Sequence, residues 1–255
     1  MVKPKKHLGQ HFLADKNIAA KIVAAMPEST GNVLEIGPGT GVLTKILIEN
    51  PTLKLNVVEI DVESVTYLTQ EKILERERIF QEDFLKMDLS KIYDNQQFDI
   101  IGNFPYNISS QILFKMLDDR KLIPSLTGMF QKEVAERVVS PEGSKDYGIL
   151  SVMVQAYYQA EYLFTVSPGV FIPPPKVQSG VIRLIRREFD DFGCDEILFK
   201  KIVKQSFNTR RKMLRGSLRD MIRNLVLIEN PIFEKRPEQL NVEEFKTLTN
   251  LIKNQ

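Results

Sequence analysis

The chain has 255 residues, enough for one large domain or for a large and a small one, with 43% hydrophobic and 27% charged residues as in ordinary globular proteins. The formal net charge of +2 conceals an uneven distribution, because from residue 191 onward 13 Lys and Arg accompany 9 Asp and Glu. The single cysteine, Cys194, excludes an intrachain disulfide and a cysteine-based zinc site, and no apolar run resembles a membrane span or a signal peptide, so we expect a cytoplasmic protein.

Helix and strand patterns alternate over the first 130 residues. Apolar spacing predicts helices over 15–26, 42–49, 63–74 and 110–117. Short apolar runs predict strands over 32–36, 55–60, 79–81, 98–101 and 126–130. This alternation is typical of an α/β fold with a mostly parallel, doubly wound, Rossmann-like sheet.

The pattern changes after residue 150. Residues 152–166 and 177–186 are predicted to form a late antiparallel pair at one edge of the sheet, joined by a rigid Pro-rich loop. Strand patterns then end, and 196–228 and 242–252 are predicted as helices. We therefore expect two domains, 1–188 with a basic N-terminal arm and a small helical domain over 189–255.

An Asn-x-Pro-Tyr sequence at residues 103–106 follows the fourth strand. Pro105 cannot donate to a sheet ladder, and the carboxyl edge of an α/β sheet is where ligands bind. The Asn103 amide oxygen and the Pro105 carbonyl can accept both hydrogens of an exocyclic amine, while Tyr106 can stack on a flat base. A Pro-containing turn with a capping Asn explains these residues equally well.

A glycine loop follows the first predicted strand. Gly37, Gly39 and Gly41 are spaced G-x-G-x-G, whereas the nicotinamide-dinucleotide fingerprint is G-x-G-x-x-G. Glu35 precedes the loop, and an acidic side chain there disfavours a pyrophosphate. The combination suits a ligand with an ammonium group, such as the methionine end of S-adenosylmethionine (SAM).

Acidic residues also follow the second and third strands. Glu59 can accept hydrogen bonds from both ribose hydroxyls of a nucleoside, and Ile60 can pack on its base. Asp83 can accept from the adenine amino group, with Phe84 lining the pocket. Asp61 competes with Glu59 but can simply cap the next helix, and Asp83 alone is also typical of a turn. The ordered placement of four such signals at one sheet edge favours the binding site.

Together these motifs resemble a known family, the small-subunit ribosomal RNA adenine N6-dimethyltransferases of the KsgA type. The resemblance covers nearly the whole chain and depends on Gly9-Gln10-His11-Phe12-Leu13, residues 35–41, residues 103–106, Phe171-Ile172-Pro173-Pro174-Pro175-Lys176-Val177 and Phe207-Asn208-Thr209-Arg210-Arg211-Lys212. It implies a SAM-dependent enzyme, without a metal and acting as a monomer, that dimethylates two adjacent adenines in a hairpin near the 3′ end of 16S rRNA in immature small ribosomal subunits.

The resemblance also implies roles for individual residues. His11 and Leu13 would lie beside the methionine part of SAM, Gly37 in its glycine loop, and Asn103 at the reacting edge. Two positions depart from patterns common among bacterial members, where His11 often corresponds to Asn and Phe104 to Leu. The contact of His11 and the role of Phe104 stay open.

The target adenine is expected to lie between two aromatic side chains. Tyr106 would provide one face, and Phe171, expected to be exposed in the Pro-rich loop, would provide the other. A base that is stacked within the RNA would have to swing out of its helix to reach them.

The C-terminal region carries a basic cluster. Residues 200–223 contain nine Lys and Arg and one acid, Asp220. Arg211, Arg215 and Arg219 recur every four residues and are predicted to share one helix face. The predicted RNA contacts are Arg210, Arg211, Lys212, Arg215 and Arg219.

Other functions remain open at this point. An Asn-x-Pro-Tyr enzyme can also methylate DNA adenine or a protein glutamine, although the basic tail favours nucleic acid. A 23S rRNA adenine dimethyltransferase of the antibiotic-resistance type has similar motifs. A ribosome-assembly factor that binds RNA on a methyltransferase fold is a further alternative, whereas the glycine spacing disfavours an NAD enzyme.

Overall fold

The computed structural model describes residues 2–28 and 30–255. Its strands are β1 (Phe12–Leu13), β2 (Asn32–Ile36), β3 (Lys54–Val58), β4 (Ile79–Phe80), β5 (Asp99–Asn103), β6 (Ser125–Gln131), β7 (Tyr158–Val166), β8 (Phe171–Ile172) and β9 (Ser179–Arg186). Its α-helices are α1 (Lys16–Ala24), α2 (Thr44–Leu47), α3 (Val62–Gln70), α4 (Ser109–Asp118), α5 (Lys132–Val139), α6 (Ile149–Gln155), α7 (Glu196–Asn208), α8 (Leu214–Ser217) and α9 (Val242–Lys253). No helix of the described residues is long and apolar enough to cross a membrane.

Seven strands form one sheet in the order β4-β3-β2-β5-β6-β9-β7. The pairs from β4 to β6 are parallel, and β9 runs antiparallel to β6. This confirms the predicted Rossmann-like sheet with an antiparallel edge. The chain moves outward from β2 to β3 and β4, then returns to place β5 on the other side of β2, so the strand order reverses between β2 and β5. Ligands bind at such switch points.

The central strands form because their sequences are short apolar runs, which suit strands buried on both faces. Asp15 caps α1 by accepting hydrogen bonds from the backbone N–H groups of Asn17 and Ile18. The connecting helices turn their apolar sides to the sheet. The resulting core includes Ala19, Ile22, Val33, Leu47, Leu55, Val57, Val65, Leu68, Ile101, Met129 and Val181.

The predicted strand over 152–166 is partly wrong. Its first four residues belong to helix α6, and only Tyr158–Val166 is a strand. The helix follows Gly148, whose backbone N–H donates to the Ser151 hydroxyl at 3.0 Å. Because Leu150 to Val154 are all buried, this apolar run shows no one-sided helical pattern, and periodicity alone cannot separate it from a strand.

The chain divides into two compact units. One contains the residues up to Glu136 together with Gln159–Arg186, and the other contains Arg137–Tyr158 and Arg187–Gln255. The predicted division at residue 188 treated each domain as one continuous stretch and therefore did not assign Arg137–Tyr158 to the C-terminal unit. In that unit the apolar sides of α7 and α9 bury Phe199, Ile202, Val203, Phe245 and Leu248.

The predicted helix over 196–228 is also wrong in its length. Helix α7 ends at Asn208, where Asn and Thr are weak helix formers, and only the short α8 and 3₁₀ turns follow. Arg211 lies in a turn, Arg215 in α8 and Arg219 in a 3₁₀ helix, so they do not share one helix face.

Phe104 lies over two glycines of the sheet. The residue is 1% exposed, and its ring packs on Phe130 with centroids 4.6 Å apart. Beneath it, Gly102 of β5 is paired with Gly128 of β6. A Cβ atom on Gly102 would lie 2.7 Å from the Phe104 ring and 2.8 Å from the Ile36 carbonyl. Phe104 therefore fills the space that the two missing side chains leave.

We expect Gly128→Ala to destabilise the protein by about 3 kcal/mol, because its methyl group would overlap both the Phe104 ring and the Gly102 carbonyl. In a thermal unfolding experiment this corresponds to a fall in Tm of roughly 5–10 °C. Gly169→Ala is the control, since nothing lies within 4 Å of its added methyl group. Equal melting temperatures for the two variants would contradict this account of Phe104.

Candidate active site

A cavity of about 190 Å³ opens at the carboxyl edge of the sheet, at the switch point between β2 and β5. One water needs only about 10–15 Å³, so the cavity has room for a small-molecule ligand. The chain segments after β2, β3, β4 and β5 all contribute to its wall. The lining includes His11, Gly37, Gly39, Glu59, Ile60, Asp83, Phe84, Asn103, Phe104, Pro105 and Tyr106.

The glycine loop needs all three glycines. Gly37, Gly39 and Gly41 have φ values of 68°, 55° and 74°, in the left-handed region that side chains disfavour. A Cβ atom on Gly39 would lie 2.9 Å from the Phe12 ring, and one on Gly41 would lie 2.9 Å from Leu68. Gly39 thus lets β1 approach the loop, while Gly41 lets α3 pack against it.

Two buried carboxyl groups lie behind the loop. Glu35 is 1% exposed and accepts a hydrogen bond from the Thr44 hydroxyl at 2.6 Å. Burial raises its pKa to about 8 against the opposing effect of Thr44, and the charge of Glu59 adds to the increase. With Leu13 and Gly37, Glu35 lines a smaller pocket next to the cavity. A ligand cation bound beside Glu35 would favour the ionised form of this side chain, the carboxylate.

Glu59 reaches the cavity with both of its oxygens engaged by backbone. Oε1 accepts from Asp61 N–H at 2.9 Å and Oε2 from Gly39 N–H at 3.2 Å. Burial raises the pKa of Glu59, and these two hydrogen bonds oppose the increase. A carboxylate has about four acceptor positions, so each oxygen can take one more donor. Ile60 next to it is 51% exposed.

Asp61 caps helix α3, the role that was the alternative to ligand binding. It accepts from Glu63 N–H at the start of α3 and forms an ion pair with Lys5, which also contacts the Glu63 carboxylate at 3.2 Å. Gln10 donates to the same Asp61 carboxylate at 3.2 Å. Lys5, part of the predicted basic arm, is thereby attached beside the cavity, and no sequence pattern signalled this contact.

Asp83 has the turn contact and also lies in the cavity wall. Its Oδ1 accepts from Leu85 N–H at 3.0 Å, as in a turn, and its Oδ2 lies 3.4 Å from Lys86 Nζ. The residue still lines the cavity, as does the buried ring of Phe84. The turn therefore positions Asp83 at the cavity wall.

Asn103 ends β5 with its amide group fixed in one orientation. Its Nδ2 donates to the His11 carbonyl at 2.9 Å. Among the described residues no donor contacts its Oδ1, so this oxygen is the part of the amide that can accept a hydrogen bond from a ligand. The Pro105 carbonyl differs from the expectation, because it already accepts from Ser109 Oγ at 3.2 Å and Ile108 N–H at 3.3 Å.

Tyr106 and Phe171 lie in different environments. Tyr106 is half-buried at the cavity wall, and its hydroxyl is hydrogen-bonded to Ser179 Oγ. Phe171 is 2% exposed and pairs with Leu13 in the two-stranded β1–β8 ladder, so the expected exposure of Phe171 is wrong. It joins the core because β1 and β8 bring two apolar residues together. Ile172, the next residue, is 63% exposed.

The basic residues of the C-terminal unit have separate environments. Arg211, Lys212, Arg215 and Arg219 are exposed. Arg210 is half-buried, donates to the Ser144 carbonyl at 3.1 Å and lies 4.0 Å from Glu238, so part of its role is to hold this unit together.

Comparison with known proteins gives concordant matches. The model of the family described as ribosomal RNA adenine dimethylase matches residues 1–252. Ribosomal RNA small subunit methyltransferase A of Bacteroides thetaiotaomicron is 54% identical over 99% of this chain and 95% of its own. The protein of the same name from Flavobacterium johnsoniae is 55% identical, over 98% of this chain and 96% of its own.

Two solved structures resemble the chain over nearly its full length. A dimethyladenosine transferase from Plasmodium falciparum has a TM-score of 0.78 and 26% identity, over 95% of this chain and 98% of its own. The 23S rRNA methyltransferase ErmE has a TM-score of 0.67 and 25% identity, over 94% of this chain and 99% of its own.

We expect the free energy of unfolding to fall as the pH rises from about 4.5 to 8, because in this range the unfolded chain releases the Glu35 proton while the folded protein retains it. Below this range both states hold the proton and the penalty vanishes. Glu35→Gln should reduce the fall by an amount on the order of a few kcal/mol, measured by urea unfolding at both ends of the range.

The exposed residue Glu49 provides the control, and Glu49→Gln should keep the wild-type difference between the two pH values. A Glu35→Gln variant that also kept that difference would show that Glu35 ionises in the folded protein as readily as in the unfolded chain.

Proposed function

The chain belongs to the ribosomal RNA adenine dimethylase family and is an rRNA adenine dimethyltransferase, and from this premise we propose that it dimethylates N6 of two adjacent adenines in a hairpin near the 3′ end of 16S rRNA. SAM would be the methyl donor, the immature small ribosomal subunit the substrate, and the cytoplasm the location. The observation that carries the proposal is the oriented Asn103 amide in the wall of the cavity of about 190 Å³.

We propose the small subunit as the substrate because this chain is more similar to proteins named for the small subunit than to a protein that acts on 23S rRNA. Relatives more than half identical to this chain carry names that refer to the small subunit, whereas ErmE, which acts on 23S rRNA, is 25% identical. Large-subunit rRNA is therefore the alternative substrate, to be separated by experiment.

The cavity fits the parts of SAM. Glu59 has an acceptor position left on each oxygen for the two ribose hydroxyls, and Ile60 and Phe84 offer apolar surface to the adenine. Asp83 would accept from the adenine amino group. Glu35 would receive the ammonium group, with Gly37, Leu13 and the His11 backbone nearby. Bound SAM would supply a methyl group on a sulfonium, which is already activated for transfer.

The protein has to make the N6 amine of the target adenine nucleophilic. The lone pair of that amine is delocalised into the ring, and two acceptors placed out of the ring plane would localise it. Asn103 Oδ1 would be one acceptor. The second would be the Phe104 carbonyl rather than that of Pro105, which Ser109 and Ile108 already engage. Phe104 lines the cavity, and its carbonyl is the acceptor that this residue can provide.

No strong base is needed in this scheme, because a methylated exocyclic nitrogen loses its proton readily. The rate enhancement would come from positioning and from preorganised dipoles in a site that excludes water. Tyr106 would stack on the target base, which contributes about 1–3 kcal/mol to holding it. Phe171 would support this arrangement from the core, through β8, rather than stack on the base.

The exposed Arg and Lys residues of the C-terminal unit would contact RNA phosphates. Arg211, Lys212, Arg215 and Arg219 project from turns and short helices, where guanidinium and ammonium groups can reach a backbone without a shared helix face. Arg210 would contribute less, because it is engaged by Ser144 and Glu238.

We expect Asn103→Ala to lower kcat by about 100-fold or more, since removing one preorganised hydrogen-bonding group costs that much in comparable sites. The assay supplies labelled SAM with undermethylated small and large subunits in separate reactions, followed by mapping of the modified adenines. Exposed Asn17→Ala is the control and should retain wild-type turnover. Normal turnover by Asn103→Ala would remove Asn103 from the mechanism, and methylation confined to the large subunit would favour the alternative substrate.

We expect the double variant Arg211→Gln, Arg215→Gln to bind RNA with a weaker salt dependence. The slope of log affinity against log salt concentration should become less steep by about 1 for each RNA phosphate that the protein no longer neutralises. Binding of small-subunit rRNA would be measured by filter retention at several salt concentrations. Changing exposed Lys16 and Lys45 to Gln removes the same charge from the N-terminal unit and serves as the control. An unchanged slope for the arginine pair would place the RNA-binding surface elsewhere.

A further inference from the structure

His11 contacts two segments that are far apart in sequence, the Asn103–Tyr106 segment of the cavity wall and the Pro-rich loop after β8. Its backbone carbonyl accepts the hydrogen bond from Asn103 Nδ2 at 2.9 Å. Its imidazole stacks on the Tyr106 ring, with centroids 5.4 Å apart and planes inclined by 28°. Its Nδ1 lies 2.8 Å from the carbonyl oxygen of Pro173, in the loop after β8. His11 thus connects Asn103 and Tyr106, whose side chains take part in the proposed reaction, to the Pro-rich loop.

The Pro173 contact fixes the position of the imidazole. A carbonyl oxygen can only accept a hydrogen bond, so His11 Nδ1 must carry the hydrogen. The loop that provides this carbonyl is in turn held to the N-terminal segment by the β1–β8 ladder, in which Phe12 pairs with Ile172. His11 is therefore held at its backbone carbonyl by Asn103 of β5 and at Nδ1 by the loop that follows β8.

Tyr106 is constrained at two places. Its hydroxyl is hydrogen-bonded to Ser179 Oγ, and one face of its ring is covered by the His11 imidazole. Centroids 5.4 Å apart leave no room for a base between the two rings, because a base inserted there would need about 3.4 Å on each side, the spacing of stacked bases. A target base must therefore use the other face of Tyr106, and the His11 ring supports the Tyr106 ring from behind.

We propose that the His11 side chain is a positioning residue for the target adenine, which holds the Tyr106 ring in place for stacking, while its backbone orients the Asn103 amide. This inference rests on the proposed function and extends it, because it assigns the imidazole to the side of the base rather than to the methionine part of SAM. Phe171, which was expected to provide the second aromatic surface, is buried, and His11 provides the aromatic contact to Tyr106 instead.

Three substitutions separate the two contacts of the side chain and all retain the backbone carbonyl for Asn103. His11→Phe keeps an aromatic ring and removes the Nδ1 hydrogen, His11→Asn keeps an N–H donor and removes the ring, and His11→Ala removes both. We expect the Asn and Ala variants to lower kcat/KM for small-subunit particles about tenfold, part of the value of one base stack, while the Phe variant stays within about threefold of wild type. Affinity for SAM, measured by calorimetry without RNA, should stay within about twofold of wild type in all three.

A double-mutant cycle with Tyr106→Ala tests whether His11 acts through Tyr106. If it does, adding His11→Ala to Tyr106→Ala should cause no further decrease of kcat/KM. Additive decreases, a Phe variant as weak as the Ala variant, or SAM affinity that falls in step with activity would each overturn the inference. If instead the wild-type protein forms no dimethyladenosine in small-subunit rRNA, the proposed function itself fails, whatever the His11 variants do.

Discussion

The reversal of strand order between β2 and β5 is the constraint on which the site depends. It separates the chain segments that follow these two neighbouring strands and so opens a cavity between the glycine loop and Asn103. Glu59 and Asp83 reach the same cavity because β3 and β4 end at the same edge. The paired glycines of β5 and β6 then allow Phe104, which lines the cavity, to bury its ring over the sheet.

The parts of the site that follow parallel strands were predictable from the sequence. Glu59, Asp83 and Asn103 each lie at or shortly after the end of a predicted strand, and parallel strands bring their carboxyl ends together regardless of the details of packing. The sheet itself was predictable for the same reason. The spacing Gly37, Gly39 and Gly41 indicated a close backbone approach, although not that Phe12 and Leu68 are the groups that approach.

The remaining differences between prediction and structure have both long-range and local causes. Phe171 resembled an exposed loop residue because its burial comes from pairing with Leu13, almost 160 residues earlier in the chain. The Pro105 carbonyl was expected to be available, but the start of α4 supplies its donors. The end of α7 at Asn208 separates Arg211, Arg215 and Arg219, whose spacing in sequence indicated a single helix face. The first outcome depends on a distant segment, whereas the other two have local causes that the spacing of apolar and charged residues does not show.

The β1–β8 ladder has a consequence for the order in which the protein matures during its own synthesis. One wall of the cavity, residues 8–12, is synthesised almost 160 residues before its partner strand Phe171–Ile172. A domain folding from its N-terminus can assemble β2, β3 and β5 earlier, yet it must leave this wall unpaired. This cavity wall therefore waits for its partner strand while a ribosome, the kind of particle whose RNA the enzyme modifies, synthesises the intervening segment.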